Sequence, residues 1–340
     1  MVGSIVTAGS SSSAPPPWIE LPRDVTADIL QRRGAIEILE SAQKVCTTWW
    51  TVCKDPTMWR VIDMRNSGDD LEIVNLDILC RRAVDRSLGE LIDIDIECFG
   101  TNDLLRYISD RSSRLKHLRI TSCSRISGKG LATAVTKFPE LEELHICYMP
   151  SITAKDIEII SISCPMLKAF TFNTNGLKSF TFNNRGYMFP HVEINDSYAL
   201  TIAKNMPNLR HLRLFGNRLS NDGLKAIFDG CPNLESLDLR QCFNVDLRGD
   251  FDRICSERIK DLKRPSDSTA DYEWDDTIYD GEAYYSDDHY SVGDYEDYGD
   301  YEDYEDYEYY ENYDDYTNPF NDLPFPANLA WYDMNEDDYL

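Results

Sequence analysis

Leu115, Leu118 and Ile120, followed by Cys123, return 26 residues later as Leu141, Leu144, Ile146 and Met149. They return again as Leu167, Phe170, Phe172 and Asn175, after a further 26 residues. Later copies are Leu209, Leu212, Leu214, Asn217 and Leu234, Leu237, Leu239, Cys242. Weaker ones stand earlier, at Leu91, Ile94, Ile96, Phe99 and at Trp59, Ile62, Met64. A fixed period of this size means that one small unit is repeated along the chain. No single unit could hide its leucines, so neighbours must stack on a shared core.

Each copy has the grammar of a short strand, a turn and a helix. Alternate residues such as Leu118 and Ile120 send their side chains to one face of a strand. Leu131 with Val135, Ile157 with Ile160, and Leu224 with Ile227 then supply a helical apolar face. Pro139, Pro165, Pro207 and Pro232 each stand two residues before the next leading leucine, where they end a helix and turn the chain.

One unit is irregular. Leu167 and Leu209 are 42 residues apart, 16 more than the period. The excess falls near KSFTFNNRGYMFPH, which carries Lys178, Phe180, Phe182, Arg185, Tyr187 and Phe189. Two readings stand side by side. The insertion is an extra strand or turn packed for stability, or it is a loop that recognises a target protein, since insertions in repeats map to loops on one face. His191 has no partner at metal-ligand spacing and reads as structural.

Before the repeats comes WIELPRDVTADILQRRGAIEILESAQKVCTTWWTVCKDPTMWRVIDM. Pro22 stands where a helix can begin, and Val25, Ile29 and Leu30 follow at helical spacing. Gly34 reads as a break. Ile38, Leu39, Ala42, Val45, Cys46, Trp49 and Cys53 keep the stripe of a single further helix. Asp55–Pro56 ends it, because a residue before proline is pushed out of the helical region. About 40 residues of short helices bury little core alone, so they need a neighbour or a partner.

Leu21-Pro22, Ile29-Leu30, Val45-Cys46, Trp49 and Trp59 behind Asp55-Pro56 together resemble the F-box motif in order and spacing. The repeats resemble the cysteine-containing type of leucine-rich repeat. The whole order resembles the plant F-box/leucine-rich-repeat proteins described as SKP-interacting, over about residues 18–264. That resemblance implies a non-catalytic substrate-recognition subunit of a Skp–cullin–F-box ubiquitin ligase. The adaptor-binding residues it implies are Leu21, Pro22, Val25, Ile29, Leu30, Ile38, Leu39, Val45, Cys46, Trp49 and Trp59. Exposed Leu, Pro and Ile on short helices make the apolar patch such docking needs. The partners implied are a Skp-type adaptor, through it a cullin, and an unnamed target protein. One position departs from the family: its usual leucine after the Ile-Leu pair is Arg33 here. Losing a buried leucine contact costs about 1–2 kcal/mol, although an arginine stem can itself cover apolar surface.

Charge divides the chain elsewhere. The net charge is −26, and residues 265–340 hold 26 Asp and Glu with no Lys or Arg. The first 264 residues are therefore neutral, and lack the positive footprint of nucleic-acid binding. Sixteen of 20 tyrosines also lie in the tail, every third residue from Tyr295 to Tyr316. Such charge opposes compaction, and the tail reads as disordered. It either solubilises, attracts basic proteins, is modified on tyrosine, or folds back on basic patches of the body.

The expected organisation is α/β: a Ser/Pro-rich N-terminus (1–17), a helical F-box (18–60), a leucine-rich-repeat solenoid of short parallel strands alternating with helices (61–264), and the acidic tail (265–340). The first residues lack the basic and apolar regions of a signal peptide, and no apolar run is long enough to span a membrane. Nucleus and cytoplasm both fit. The ten cysteines are expected reduced, and without C-x-x-C pairs they do not suggest structural zinc. Cys123 and Cys242 take the Asn/Cys position of the repeat, while Cys164 and Cys231 end helices. No cofactor is expected. The usual catalytic motifs are absent from the sequence. A reading from another class is a nuclear repeat protein that binds histones through its acidic tail, with no ligase role.

Overall fold

The computed structural model describes residues 21–65, 73–173, 180–182, 188–190 and 194–271. Its first elements are short helices. α1 (Arg23–Gln31) starts behind Pro22, whose carbonyl accepts from Thr26 N at 3.0 Å. Gly34, at φ 78°, breaks the chain before α2 (Gly34–Glu40). The single helix expected from Ile38 to Cys53 is in fact three pieces. α2 stops at Ser41, a 3-10 turn covers Ala42–Lys44, and α3 (Thr47–Cys53) follows. Cys46 is fully extended between them, at φ −162° and ψ 166°, and an apolar stripe carries no record of such a break. A second 3-10 turn, Pro56–Trp59, is capped by Asp55, which accepts from Thr57 N at 3.0 Å.

The repeats form one sheet. Its strands are β1 (Val61–Met64), β2 (Asp93–Glu97), β3 (His117–Thr121), β4 (Glu143–Cys147) and β5 (Ala169–Asn173). A hairpin, β6 (Phe180–Phe182) and β7 (Met188–Pro190), intervenes before β8 (His211–Arg213), β9 (Ser236–Asp238) and β10 (Asp261–Lys263). The order is β1-β2-β3-β4-β5-β8-β9-β10, and every neighbouring pair is parallel. The register puts Ile94, Leu118, Leu144, Phe170, Leu212 and Leu237 side by side, and all are buried. The expected strand periodicity is thus met position for position from β2 to β9. β10 is one strand more than the repeat copies named in the sequence.

Helices cover the apolar face of this sheet. They are α4 (Ile73–Arg86), α5 (Asn102–Arg111), α6 (Gly128–Val135), α7 (Ala154–Ser163), α8 (Ser197–Asn205), α9 (Asn221–Gly230) and α10 (Asp250–Arg258). Leu131, Val135, Ile157, Ile160, Leu224 and Ile227 are all buried, as their spacing predicts. Side-chain caps start several of them. Thr101, Ser127 and Ser220 accept from first-turn amides, and Thr153 forms a reciprocal capping box with Asp156.

Left-handed residues follow five of the strands: Cys98, Ser122 and Tyr148 directly after β2, β3 and β4, and Gly216 and Gln241 three residues after β8 and β9. Their N–H groups donate to the next repeat, on Thr121, Cys147, Asn173, Arg240 and Pro265 respectively. The turn therefore extends the ladder past the strand, by one residue at β2, β3 and β4 and by three at β8 and β9. Below it lie the Asn/Cys positions. Cys123 Sγ donates to Thr121 O at 3.3 Å, Cys242 Sγ to Leu214 O at 2.8 Å, and Asn217 Nδ2 to Phe172 O at 2.6 Å. A small polar side chain there satisfies buried carbonyls that would otherwise be costly.

Two expected boundaries move. The division at 60/61 is not a division of core: one apolar cluster runs from Leu30 in α1 to Ile259 beyond α10. The boundary at 264/265 falls early, because residues 265–271 still pack on the repeats. Ser268 O accepts from Arg240 Nη1 at 3.0 Å, and Asp271 pairs with Arg240 and Lys263. The Tyr-rich acidic segment itself lies outside the described residues.

Candidate interaction surfaces

The N-terminal helices sort the expected adaptor-binding residues into two sets. Leu30, Ile38, Leu39 and Trp59 are buried in the common core. This corrects their placement on a docking patch: alternate turns of the same short helices must face inward to hold the module, so these four serve its interior. Outside are Pro22, Val25 (40% exposed) and Ile29 (36%) on α1, Val45 (63%) in the turn before α3, and Trp50 (40%) on α3. Leu21, Cys46 and Trp49 are half-buried. α1 packs on α3, so both sets of exposures belong to the same end of the molecule. Trp50 was not singled out in the sequence; Lys54 Nζ stands 3.7 Å over its ring. Arg33 projects outward, with Glu37 at 3.9 Å, and does not fill a leucine's place in the core.

The open face of the sheet is the second surface. Its central row reads Asp63, Asp95, Arg119, His145 over the first half and Thr171, Arg213, Asp238, Lys263 over the second. Acidic groups gather at β1 and β2. There Asp93 accepts from His117 Nδ1 at 3.1 Å, and Asp95 lies 3.5 Å from Arg65 Nε. Burial pushes the Asp95 carboxyl up to about 7, against the pull of Arg65 and with the repulsion of Asp63. At the other end, β5, β8, β9 and β10 line a groove of about 320 Å³. His145, His211, Arg213, Arg240 and Lys263 line it, together with the carboxylates of Asp238, Asp261 and Asp271. Sequence reasoning missed this groove, because its residues are spread over several repeats, from His145 to Asp271.

A leucine-rich-repeat family model matches residues 205–228, from the last residue of α8 through β8 and most of α9. F-box protein SKIP19 of Arabidopsis thaliana is 49% identical over 77% of this chain and 84% of its own length. This chain belongs to the plant F-box/leucine-rich-repeat proteins. A second Arabidopsis relative, F-box/LRR-repeat protein 23, is 48% identical over 78% of this chain and 59% of its own length. Among solved structures, the crystal structure of the yeast Rad7 and Elc1 complex overlaps with a TM-score of 0.39 at 15% identity, covering 71% of this chain and 66% of that one.

In this F-box protein the insertion between repeats contains the hairpin. Phe180 pairs with Pro190, Thr181 with Phe189 and Phe182 with Met188, antiparallel and apart from the main sheet. The backbone positions of Phe180, Phe182 and Phe189 are thus on paired strands. Lys178, Arg185 and Tyr187 lie outside the described residues.

The cysteines of this family member are set for packing. Cys53, Cys80, Cys123, Cys147, Cys164, Cys231, Cys242 and Cys255 are buried. Burial pushes the Cys53 and Cys231 thiols up to about 11, and Cys123, Cys164 and Cys242 up to about 12. A thiol held protonated is a poor nucleophile and metal ligand. Among the described residues, no cluster of His, Cys, Asp and Glu could hold a metal ion, and no helix is long and apolar enough to cross a membrane.

Proposed function

We propose that this F-box protein is the target-binding subunit of a Skp–cullin–F-box ubiquitin ligase. The observation that carries this reading is the exposed apolar set Pro22, Val25, Ile29, Val45 and Trp50, on the helices whose sequence matches the F-box motif. An apolar patch of this kind is an interaction site by default. The common core supports the rest of the reading. With Trp59 and Leu30 in the same cluster as the repeat leucines, the adaptor end and the open sheet face are held as one unit. A target bound to the sheet is then presented at a fixed place relative to the adaptor, which raises the effective concentration of its lysines. In this reading the chain does no chemistry of its own.

The test is co-purification of the full chain with a Skp-type adaptor, comparing wild type with Val25→Asp/Ile29→Asp. Both side chains are exposed, so the variant is expected to fold. Loss of the adaptor only in the variant supports the reading, and a wild type that captures no adaptor ends it. The acidic segment after residue 271 contributes, in the same proposal, a long-range pull on basic proteins, which increasing salt weakens.

A further inference from the structure

The groove between β5 and β10 holds a carboxylate that does not belong to the sheet. Arg240 is fixed by Asp238: its Nε donates to both carboxylate oxygens, at 3.1 and 3.2 Å, and its Nη2 to Oδ2 at 2.8 Å. That bidentate grip aims the remaining nitrogen, Nη1, along the groove rim. There it meets Ser268 O at 3.0 Å and Asp271 Oδ1 at 2.5 Å. The other oxygen of Asp271 lies 3.5 Å from Lys263 Nζ. One carboxylate therefore bridges two cations: Arg240, two residues past the end of β9, and Lys263 of β10, whose register partner is Asp238.

Asp271 comes to this place on a short strap, not on a repeat. Its backbone ties are light: Gln241 N donates to Pro265 O at 2.9 Å, and Arg264 N to the Asp267 side chain at 2.7 Å. Its own carboxylate is more than half exposed. By contrast Arg240 and Asp238 are buried and oriented. The receiving groups are preorganised, and the occupant is a half-exposed carboxylate paired to them from a short strap. Beyond the bridge, His211, Arg213, Thr171 and Ser236 also line the groove; Asp238 lies 3.6 Å from Arg213, and Asp261 accepts from the Ser236 hydroxyl at 3.4 Å. Oriented arginine with a neighbouring lysine is the chemistry that receives a carboxylate or a phosphate.

We propose that this groove recognises an anionic side chain of the target, a carboxylate or a phosphate, and that Asp271 is a built-in competitor seated in its place. The inference rests on the target-receptor reading only for calling the ligand a target. The groove sets a requirement for which proteins are held: an acidic or phosphorylated segment able to displace Asp271. Exchange of one carboxylate for another at an exposed site is worth a small factor, and a doubly charged phosphate gains more.

The test uses the full chain without any adaptor, so its outcome is independent of the ligase reading. Fluorescein-labelled decapeptides are titrated by anisotropy: one of glutamate, one of serine with a central phosphoserine, and a neutral one of glutamine. Asp271→Asn is expected to tighten binding of an anionic peptide by about threefold. Glu257→Gln removes the same charge from the exposed helix α10 and should change nothing. Adding Lys263→Gln to Asp271→Asn should abolish the gain. A gain with the phosphopeptide alone assigns the site to phosphate, and a gain with both anionic peptides to either anion. The proposal is overturned if Asp271→Asn behaves like Glu257→Gln, if the glutamine peptide gains equally, or if the gain survives Lys263→Gln. Unchanged thermal melting of each variant excludes misfolding as the cause.

Discussion

The Trp59 indole N–H donates to the carbonyl of Cys53 at 2.7 Å, inside the core that the F-box helices share with the repeats. It closes the end of α3 onto the turn that leads into β1. The Arg86 guanidinium of α4 lies 5.3 Å over the same ring and donates to Gln43 at 2.7 Å, tying the first helix of the repeats to the module. Trp59→Phe keeps most of the volume and leaves the Cys53 carbonyl buried without this donor. A loss of about 1–3 kcal/mol in unfolding free energy is expected, read by urea denaturation. Adaptor capture by the folded fraction should be unchanged, since Trp59 is buried. A variant of full stability that has lost the adaptor would return Trp59 to the docking surface.

Close packing of α8 on α9 yields a second test. A Cβ built on Gly230 would sit 2.1 Å from the carbonyl oxygen of Ala203. That neighbour is backbone, so it cannot rotate away. Gly230→Ala is expected to cost about 1–3 kcal/mol by overpacking. The same substitution in an exposed helix would be mildly stabilising by propensity. The sign of the change in denaturation midpoint therefore decides the matter.

What the sequence carried and what it hid follow from physical reach. Strands β3, β4 and β5 were legible because burial imposes alternation, and the 26-residue period repeats it in register. β10 was not: only Leu262 lies inside it, without the leading leucine of its predecessors. The break of the F-box helix at Cys46 is a backbone event, and an apolar stripe is blind to it. For the same reason the spacing could not separate Val25 and Ile29, which face out, from Leu30, Ile38 and Leu39, which face in. The groove was invisible for another reason. His145, Arg213 and Lys263 are far apart in the chain, and only the parallel register brings them into one row of the sheet.

Asp95 makes the stability of the body depend on pH in an unusual direction. Only 4% of the residue is exposed, and its Oδ1 has no hydrogen-bond partner. Burial is the main reason its carboxyl is pushed up to about 7; Arg65 and Arg119 oppose this, while Asp63 and Glu97 add to it. An unfolded aspartate titrates near ~3.9. Between those values the folded chain binds this proton more tightly than the unfolded chain does. Stability from this site therefore falls as pH rises from about 4 to about 7, and is flat above. Asp95→Asn removes the fall. Relative to wild type, its melting temperature should gain most at pH 8 and least at pH 4. An offset that does not vary with pH would show that Asp95 is ionised throughout.

Thiol reactivity tests the burial of the cysteines directly. Of the ten, Cys98 is exposed, Cys46 is half-buried and the other eight are buried. Cys98 occupies the left-handed position that ends β2. Partial burial, with Glu97 beside it, also holds its thiol above the ordinary range. Alkylation of the native chain with iodoacetamide at pH 8 is expected to label Cys46 and Cys98 only, with Cys98 the slower for its thiolate content than its exposure suggests. Peptide mapping identifies the sites. All ten should react in guanidinium chloride. Fast labelling of Cys123 or Cys242 in the native state would mean that the turn over the Asn/Cys ladder opens, since each lies beneath it and donates to a buried carbonyl.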